Sequence, residues 1–466
     1  MKNKLIYIVL YLFVLSSCTD DFLEQKSKDS VIPKSVNDYK ELLNHEAYID
    51  PETDLSSYLD IMTDDVKLEI LSAEYETDYI RNSYKGYYTW QSDPQIVSYG
   101  RFDDEAWNWH YHTILMSNLT IKNLPDLDGS KEEKEDLLAE VKFLRAFSYF
   151  MLVNIYGEPY VDGSELGVPI NLNVGSSTET LSRSTTGEVY EIIKSDLLSS
   201  IKNFDAANLP KDIFQPTSLV SHLLLSRVCL YTKDYKNAEI HAGKVLDKNP
   251  QLLDLRTLGP ADTSGDSFNV FLTNANPEIL FSYGGGGVNC APWGKDKTWF
   301  CMSDELKSLY GENDLRLQGF FLDGKYNGKS YYDFTLTKCG FMTFRVAEAY
   351  LNRAEALAEL DRNGEALVLI KELRNYRIED DSFTYSDLKE FIKSERRREL
   401  CFENHRWFDL RRNGCKEIIH TYYAGDKCEV TETYKLDKND KAYTLNPPYS
   451  ELKNNKIIET INRPNR

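Results

Sequence analysis

The chain is 466 residues long, carries a formal net charge of −19 and is 12% aromatic, with 31 Tyr. That acidity argues against nucleic acid and against docking on an anionic membrane through the protein surface. Seven scattered His, no H-E-x-x-H and no C-x-x-C pair leave zinc and thioredoxin chemistry without support.

Lys2 and Lys4 precede an apolar run from Leu5 to Leu15, followed by Ser16-Ser17-Cys18. The run is too short to span a bilayer and reads as a secretory signal over residues 1–17. Leu-Ser-Ser-Cys resembles a bacterial lipobox, which makes Cys18 the expected lipidation site and acyl chains such as palmitate the membrane anchor. Thr19 departs from the inner-membrane retention signal, and Asp20-Asp21 resembles an export tag. Removing the signal takes Lys2 and Lys4 with it and leaves a net charge of −21.

Helical periodicity then dominates in chain order. WNWHYHTILMSNLTIKNL (107–124) is a first helix. EEKEDLLAEVKFLRAFSYFMLVNIYG carries Leu137, Val141, Leu144, Ser148, Met151 and Ile155 on one stripe. It is expected to pair with 187–204 across a Gly/Ser/Thr/Pro-rich loop at 158–186. Residues 219–250 form a helix–turn–helix of tetratricopeptide type with small Ala238 and Ala242, and 345–374 repeat it. Such pairs fall near 132–204, 216–250 and 341–376. Stacked pairs bury faces only against neighbours, so the expected fold is mainly α: one TPR-like scaffold with large irregular loop insertions. Residues 50–104 and 255–340 hold most of the tyrosine, glycine and turn chemistry.

The densest signal is ERRRELCFENHRWFDLRRNG, 395–414, expected within one helix over 386–413 that ends at Gly414. Its charges are expected to satisfy one another three and four residues apart. This run, AEVKFLRAFSYFMLVNIYGEPYV, the 219–250 repeat, FRVAEAYLNRAEALAEL and the closing LNPPYSELKNN together resemble the SusD/RagB family, in that family's order. The resemblance covers 18–466 as a single SusD-like domain. It implies an outer-membrane lipoprotein facing the extracellular side, which binds a nutrient and hands it to a SusC-like TonB-dependent β-barrel. Ligands in the family range from glycans to peptides.

No catalytic group stands out. There is no G-x-S-x-G elbow, and Gly284–Gly287 lacks the residues of a phosphate loop. Asp64-Asp65, Asp103-Asp104 and Asp380-Asp381 read as solvated acidic loops, not as a hydrolase pair. No cofactor or metal is assigned, and the membrane is reached through the lipid anchor only. Seven Cys remain after lipidation. Cys415 and Cys428 bracket a polar loop and could be bridged, while Cys229 and Cys401 read as buried thiols. Binding is better supported, because flat aromatics pack well on the C–H faces of sugar rings. Trp107, Trp109, Tyr111 and Trp407 read as core. Loop insertions near 70–104 and 255–340 are expected to face the ligand, with Trp293, Trp299, Trp90, Tyr283, Tyr87 and Tyr88 as stacking candidates and Arg81 and Asn82 as hydroxyl partners. The expected function is capture of an oligosaccharide. The alternatives are a RagB-like peptide binder, a structural lid of the barrel without its own ligand, and, remotely, a lipid-anchored hydrolase.

Overall fold

The computed structural model describes residues 33–49, 55–70, 79–97, 104–174, 181–259, 271–284, 298–326, 329–334, 343–379, 382–425 and 427–466. At 79–80, 298–299 and 322–334 it describes the backbone alone. In chain order the main elements are α1 (Val36–Glu46), β1 (Val66–Ile70), α2 (Tyr79–Tyr88), α3 (Glu105–Asn123), α4 (Lys131–Tyr156), α5 (Thr186–Ala207), α6 (Ser218–Tyr231) and α7 (Tyr235–Leu246). There follow β2 (Ile279–Phe281), β3 (Thr298–Met302), β4 (Phe321–Tyr326), β5 (Lys329–Phe334), β6 (Phe344–Arg345), α8 (Val346–Glu359) and α9 (Asn363–Asn375). The last are α10 (Leu388–Glu399), α11 (Arg406–Arg412), β7 (Ile418–Ala424) and β8 (Val430–Leu436).

The protein is mainly α, as the periodicity predicts. Capping boxes start the two longest helices. Ser130 accepts from the Glu133 amide at the head of α4, and the Glu133 carboxylate accepts in return from the Ser130 amide. Thr185 and Glu188 repeat the device on α5. The three expected pairs form: α4 lies along α5, α6 along α7 and α8 along α9, while α5–α6 and α7–α8 contacts join one pair to the next. Ala238 and Ala242 are fully buried, and a Cβ on Gly243 would come 3.3 Å from the Arg353 guanidinium, so α7 and α8 approach closely. Trp107 and Trp407 are core; Trp109 and Tyr111 pack against it half-buried.

Two expectations are corrected here. The insertions, expected to be irregular loops, also hold short strands: among the described residues four two-stranded antiparallel sheets form, β1–β3, β2–β6, β4–β5 and β7–β8, the last of them beyond the insertions. The single helix over 386–413 is two helices, α10 and α11. They are separated by a turn in which Phe402 (φ 58°) and Asn404 (φ 61°) are left-handed. Phe402 is buried against Phe321, and that packing outweighs the local cost of the conformation. Gly414 (φ 96°) does end α11.

The charges of this segment are buried, and most find partners far along the chain. Glu399 accepts from Arg316 (3.1 Å), Arg345 (2.7 Å) and Arg377 (2.9 Å). Glu395 accepts from Arg316, Arg374 and Arg398. Arg345 also reaches Glu403 and Glu278, and Arg377 reaches Glu278. The Arg398–Glu395 and Arg412–Asp409 pairs alone follow the expected local spacing within the motif. Burial pushes the Glu399 carboxyl upward, yet Arg377, Arg345 and Arg316 overcome it and hold it at about 2. At Glu403 burial outweighs Arg345, and the neighbouring Glu399 and Glu278 add to it, so that carboxyl is raised.

Replacing Arg345 with Met leaves Glu278, Glu399 and Glu403 undercompensated in the interior, and the expected loss is about 3–5 kcal/mol in chemical denaturation. A loss below about 1 kcal/mol would refute the network's structural role.

Acid should destabilise the fold. Burial lowers His110 to about 3, and burial with the neighbouring Arg227 and Arg396 holds His405 well below its usual range, so these rings are neutral when folded and take up protons near pH 6.5 only on unfolding. Their contribution is therefore present above about pH 6.5 and lost as pH falls below it. Glu399 adds a loss between about 4.3 and its native value. Asp65 and Glu403, both raised, act in the opposite sense and blunt this limb. The expected result is a Tm that falls from pH 7 to pH 4; a flat profile would contradict the assignment of neutral buried imidazoles.

Candidate functional site

Between β1 and β7 lies a cleft of about 530 Å³. Its sequence origin is two-residue periodicity. Val66 and Leu68 of β1 pack into a core cluster with Phe300 and Met302 and line the cleft at its inner side, while Lys67 and Glu69 bring its charges. On β7, Ile418, His420 and Tyr422 are buried while Ile419 is 58% exposed.

Each charge lining the cleft has a partner of opposite sign. Lys67 lies 2.6 Å from Glu69 and 2.9 Å from Asp304. Burial alone would lower its ammonium, and the hydrogen bonds to Glu69 and Asp304 raise it instead. Glu305 accepts from Arg397 (2.6 Å) and Lys416 (3.0 Å), and Glu417 from Lys435 (2.8 Å). At the base, Asp64 and Asp65 are buried, not solvated as expected. Arg406 donates to Asp64 at 2.8 Å and Arg397 to Asp65 at 2.6 Å. Burial opposes ionisation of Asp64, but Arg406, Arg397 and Lys416 prevail and lower it. At Asp65 burial prevails over Arg397 and Arg406, and the carboxyl is raised. The Ser303 hydroxyl and amide donate to the Asp64 and Asp65 carbonyls, which ties β3 to the same base.

The expected stacking residues occupy other places. The segment from Arg81 to Trp90 is helix α2 and its end, not an open loop, because a Cβ on Gly86 would sit 2.1 Å from the Pro94 oxygen and the glycine lets the two backbones touch. Tyr87 is buried and stacks on Tyr58 at 4.5 Å. Tyr88 forms the cleft floor: its hydroxyl accepts from the Leu68 amide (3.0 Å) and donates to the Thr421 carbonyl (3.3 Å), joining β1 to β7. Trp90 is fully buried and left-handed (φ 50°), and its indole donates to the Met62 carbonyl. Tyr88 and Trp90 enclose the His420 ring at 4.1 and 4.3 Å. The His420 nitrogens face the Tyr88 and Thr63 carbonyls at 2.8 and 2.9 Å.

Tyr283 is buried elsewhere, with its hydroxyl donating to the Ala47 carbonyl. Arg81 is buried and clasps the β7–β8 hairpin through the Tyr423 carbonyl (2.5 Å) and Cys428 sulfur (3.0 Å). Asn82, half-buried, accepts from the Tyr422 hydroxyl. As solvent-facing ligand contacts, Trp90, Tyr87, Tyr88, Tyr283 and Arg81 are corrected: they are packed. Trp299 pairs with Glu69 in the β1–β3 register, beside the cleft; its side chain, all of Trp293, and Cys18 lie outside what is described. Cys415 and Cys428 are buried and form no disulfide with each other, and Cys229 and Cys401 are buried thiols as expected. Among the described residues no group of three His, Cys, Asp or Glu side chains is placed to hold a metal.

The residues the sequence reading missed are Lys67, Glu69, Asp304, Glu305, Glu417 and Tyr423. The alternation in VKLEI and the two-strand pattern of IIHTYYA and VTETYKL carried the signal.

Tyr88→Phe strands the Leu68 amide and the Thr421 carbonyl. It should cost about 1–3 kcal/mol in urea unfolding and loosen both cleft walls in hydrogen exchange. Unchanged exchange at 66–70 and 418–424 would show that the hydroxyl does not hold the cleft.

The likeness to known proteins extends over most of the chain. A family model described as the SusD family matches residues 311–465, and one described as starch-binding associating with outer membrane matches 21–230. SusD-like protein P2 of Formosa agariphila is 24% identical over 369 residues, covering 66% of this chain and 70% of its own length. Among solved structures, a SusD-like carbohydrate binding protein from Bacteroides vulgatus superposes with a TM-score of 0.72 at 19% identity, covering 93% of this chain and 99% of that one. A putative sugar binding protein from the same organism gives 0.70 at 24% identity, with the same coverage. At these identities the structures establish the fold.

Proposed function

Because this chain belongs to the SusD/RagB family, we propose that it is an outer-membrane nutrient-binding protein that captures an oligosaccharide in the β1–β7 cleft and passes it to a SusC-like TonB-dependent β-barrel. Acylation of Cys18 anchors it at the extracellular face, and uptake energy comes from the barrel. The likeness to a starch-binding family associated with the outer membrane supports this reading, as does the likeness to the two sugar-binding proteins of Bacteroides vulgatus.

The observation that carries it is the pairing of every charge that lines the cleft. A volume of about 530 Å³ falls within the usual range of small-ligand sites. Its walls are polar, yet Lys67 answers Glu69 and Asp304, Arg397 and Lys416 answer Glu305, and Lys435 answers Glu417. Such walls offer fixed donors and acceptors without a large net field, which suits a neutral ligand rich in hydroxyls. Ile419 and Tyr423 add apolar surface for a ring face. The acidic pair at the base is buried and held by Arg397 and Arg406, which supports a structural part for it beneath a binding cleft.

A second reading, the structural lid, is favoured by one observation: Tyr87, Tyr88, Trp90 and Tyr283 are all buried.

Calorimetry of the soluble chain from Thr19, against neutral and charged oligosaccharides and peptides, separates the two. The expected outcome is binding of a neutral glycan, weakened by about 1–3 kcal/mol in Glu69→Ala and in Trp299→Ala. Peptide binding would replace the glycan assignment; no binding to any ligand, with the isolated chain folded, would favour the lid.

A further inference from the structure

His222 on α6 and His241 on α7 face one another across the helical hairpin, remote in sequence from both cleft walls. Their Nδ1 atoms are 2.8 Å apart, with ring centroids at 5.1 Å and planes tilted by 32°. Two Nδ1 atoms at that distance share one proton, so one ring donates and the other presents a lone pair. Burial lowers both imidazoles; His222 and Lys244 repel a charge on His241 and bring it to about 4, while Lys244 acts likewise on His222. At neutral pH both rings are therefore uncharged, the form that binds metal. Both are half-buried, so solvent reaches them.

We propose that His222 and His241 form a binding site for a first-row divalent transition cation, zinc(II) or copper(II), which takes the place of the shared proton and links α6 to α7. Metal–nitrogen bonds of about 2.0–2.1 Å in tetrahedral geometry need the nitrogens about 3.3 Å apart. Side-chain rotation at these half-exposed positions supplies the extra half ångström. Since no third protein ligand joins the pair among the described residues, water fills the remaining positions. Asp205 and Asp234, whose charges already act on the two rings, favour a cation here. Imidazole nitrogen suits zinc and copper over calcium or magnesium, and copper binds tighter than zinc. This site does not depend on the nutrient-binding reading.

The test uses untagged, metal-free protein with ZnCl₂ or CuSO₄ alone. The expected result is one strong site by calorimetry, a rise in Tm reversed by EDTA, and a copper EPR spectrum with two nitrogen ligands. His222→Ala and, separately, His241→Gln should each weaken binding by about tenfold or more. The glutamine variant keeps a polar side chain and serves if the alanine variant folds poorly. Equal metal binding by the wild type and both variants, or no stoichiometric site at all, would overturn the proposal and leave the pair as a hydrogen bond between helices.

Discussion

Everything in the C-terminal half depends on one rule of electrostatics: a charge taken from water must meet its opposite in the interior. Arg316, Arg345 and Arg377 converge on Glu399 in the interior; Arg345 and Arg377 also share Glu278, Arg316 pairs with Asp314 and Glu395, and Arg345 with Glu403. Such a cluster adds little net stability over an apolar core, because desolvation consumes most of the attraction. What it does is specify. An apolar core tolerates a slipped helix, whereas here a slip parts several ion pairs at once. The left-handed turn at Phe402 and Asn404 makes sense on this view, since it lets the chain present Glu399 and Glu403 to Arg345 while starting α11 in a new direction.

The same network reaches the cleft. Arg397 and Arg406 leave the Arg-rich segment to hold Asp64 and Asp65, and the carbonyls of that pair hold Ser303. The starts of β1 and the end of β3 are therefore fixed by residues more than three hundred positions downstream of Asp64. Tyr88 and His420 finish the task from the other side, so the cleft has rigid walls although it is built from short strands and turns.

Much of this was legible in the sequence and some was not. The helix pairs were, because 3.6-residue periodicity over 12 to 26 residues is a strong local signal and the capping residues mark their starts. The Arg/Glu-rich segment was legible as an anomaly, but its partners were not, since Arg316 and Arg345 carry nothing local that ties them to Glu399. The strands at 66–70 and 418–424 are five and seven residues long and were hidden among turn residues. The aromatic run from Tyr84 to Trp90 misled for a physical reason. Glycine beside aromatics reads as an exposed loop, but Gly86 serves a backbone-to-backbone contact with Pro94, and the rings turn inward around Tyr58 and His420.

The end of α4 is finished by residues from the far end of the chain. Arg411 donates to the Gly157 carbonyl, and the Leu445 amide donates to that of Ile155 at 3.1 Å. A repeat scaffold ordinarily gains its stability step by step along the chain, each hairpin resting on the one before. Here Arg183 meets the Tyr156 carbonyl early, but the carbonyls of Ile155 and Gly157 wait until nearly all of the polypeptide has been made. Contacts between such distant residues raise the contact order and slow the final step. Truncation from the C-terminus should therefore be felt at residue 155 before it is felt at the cut.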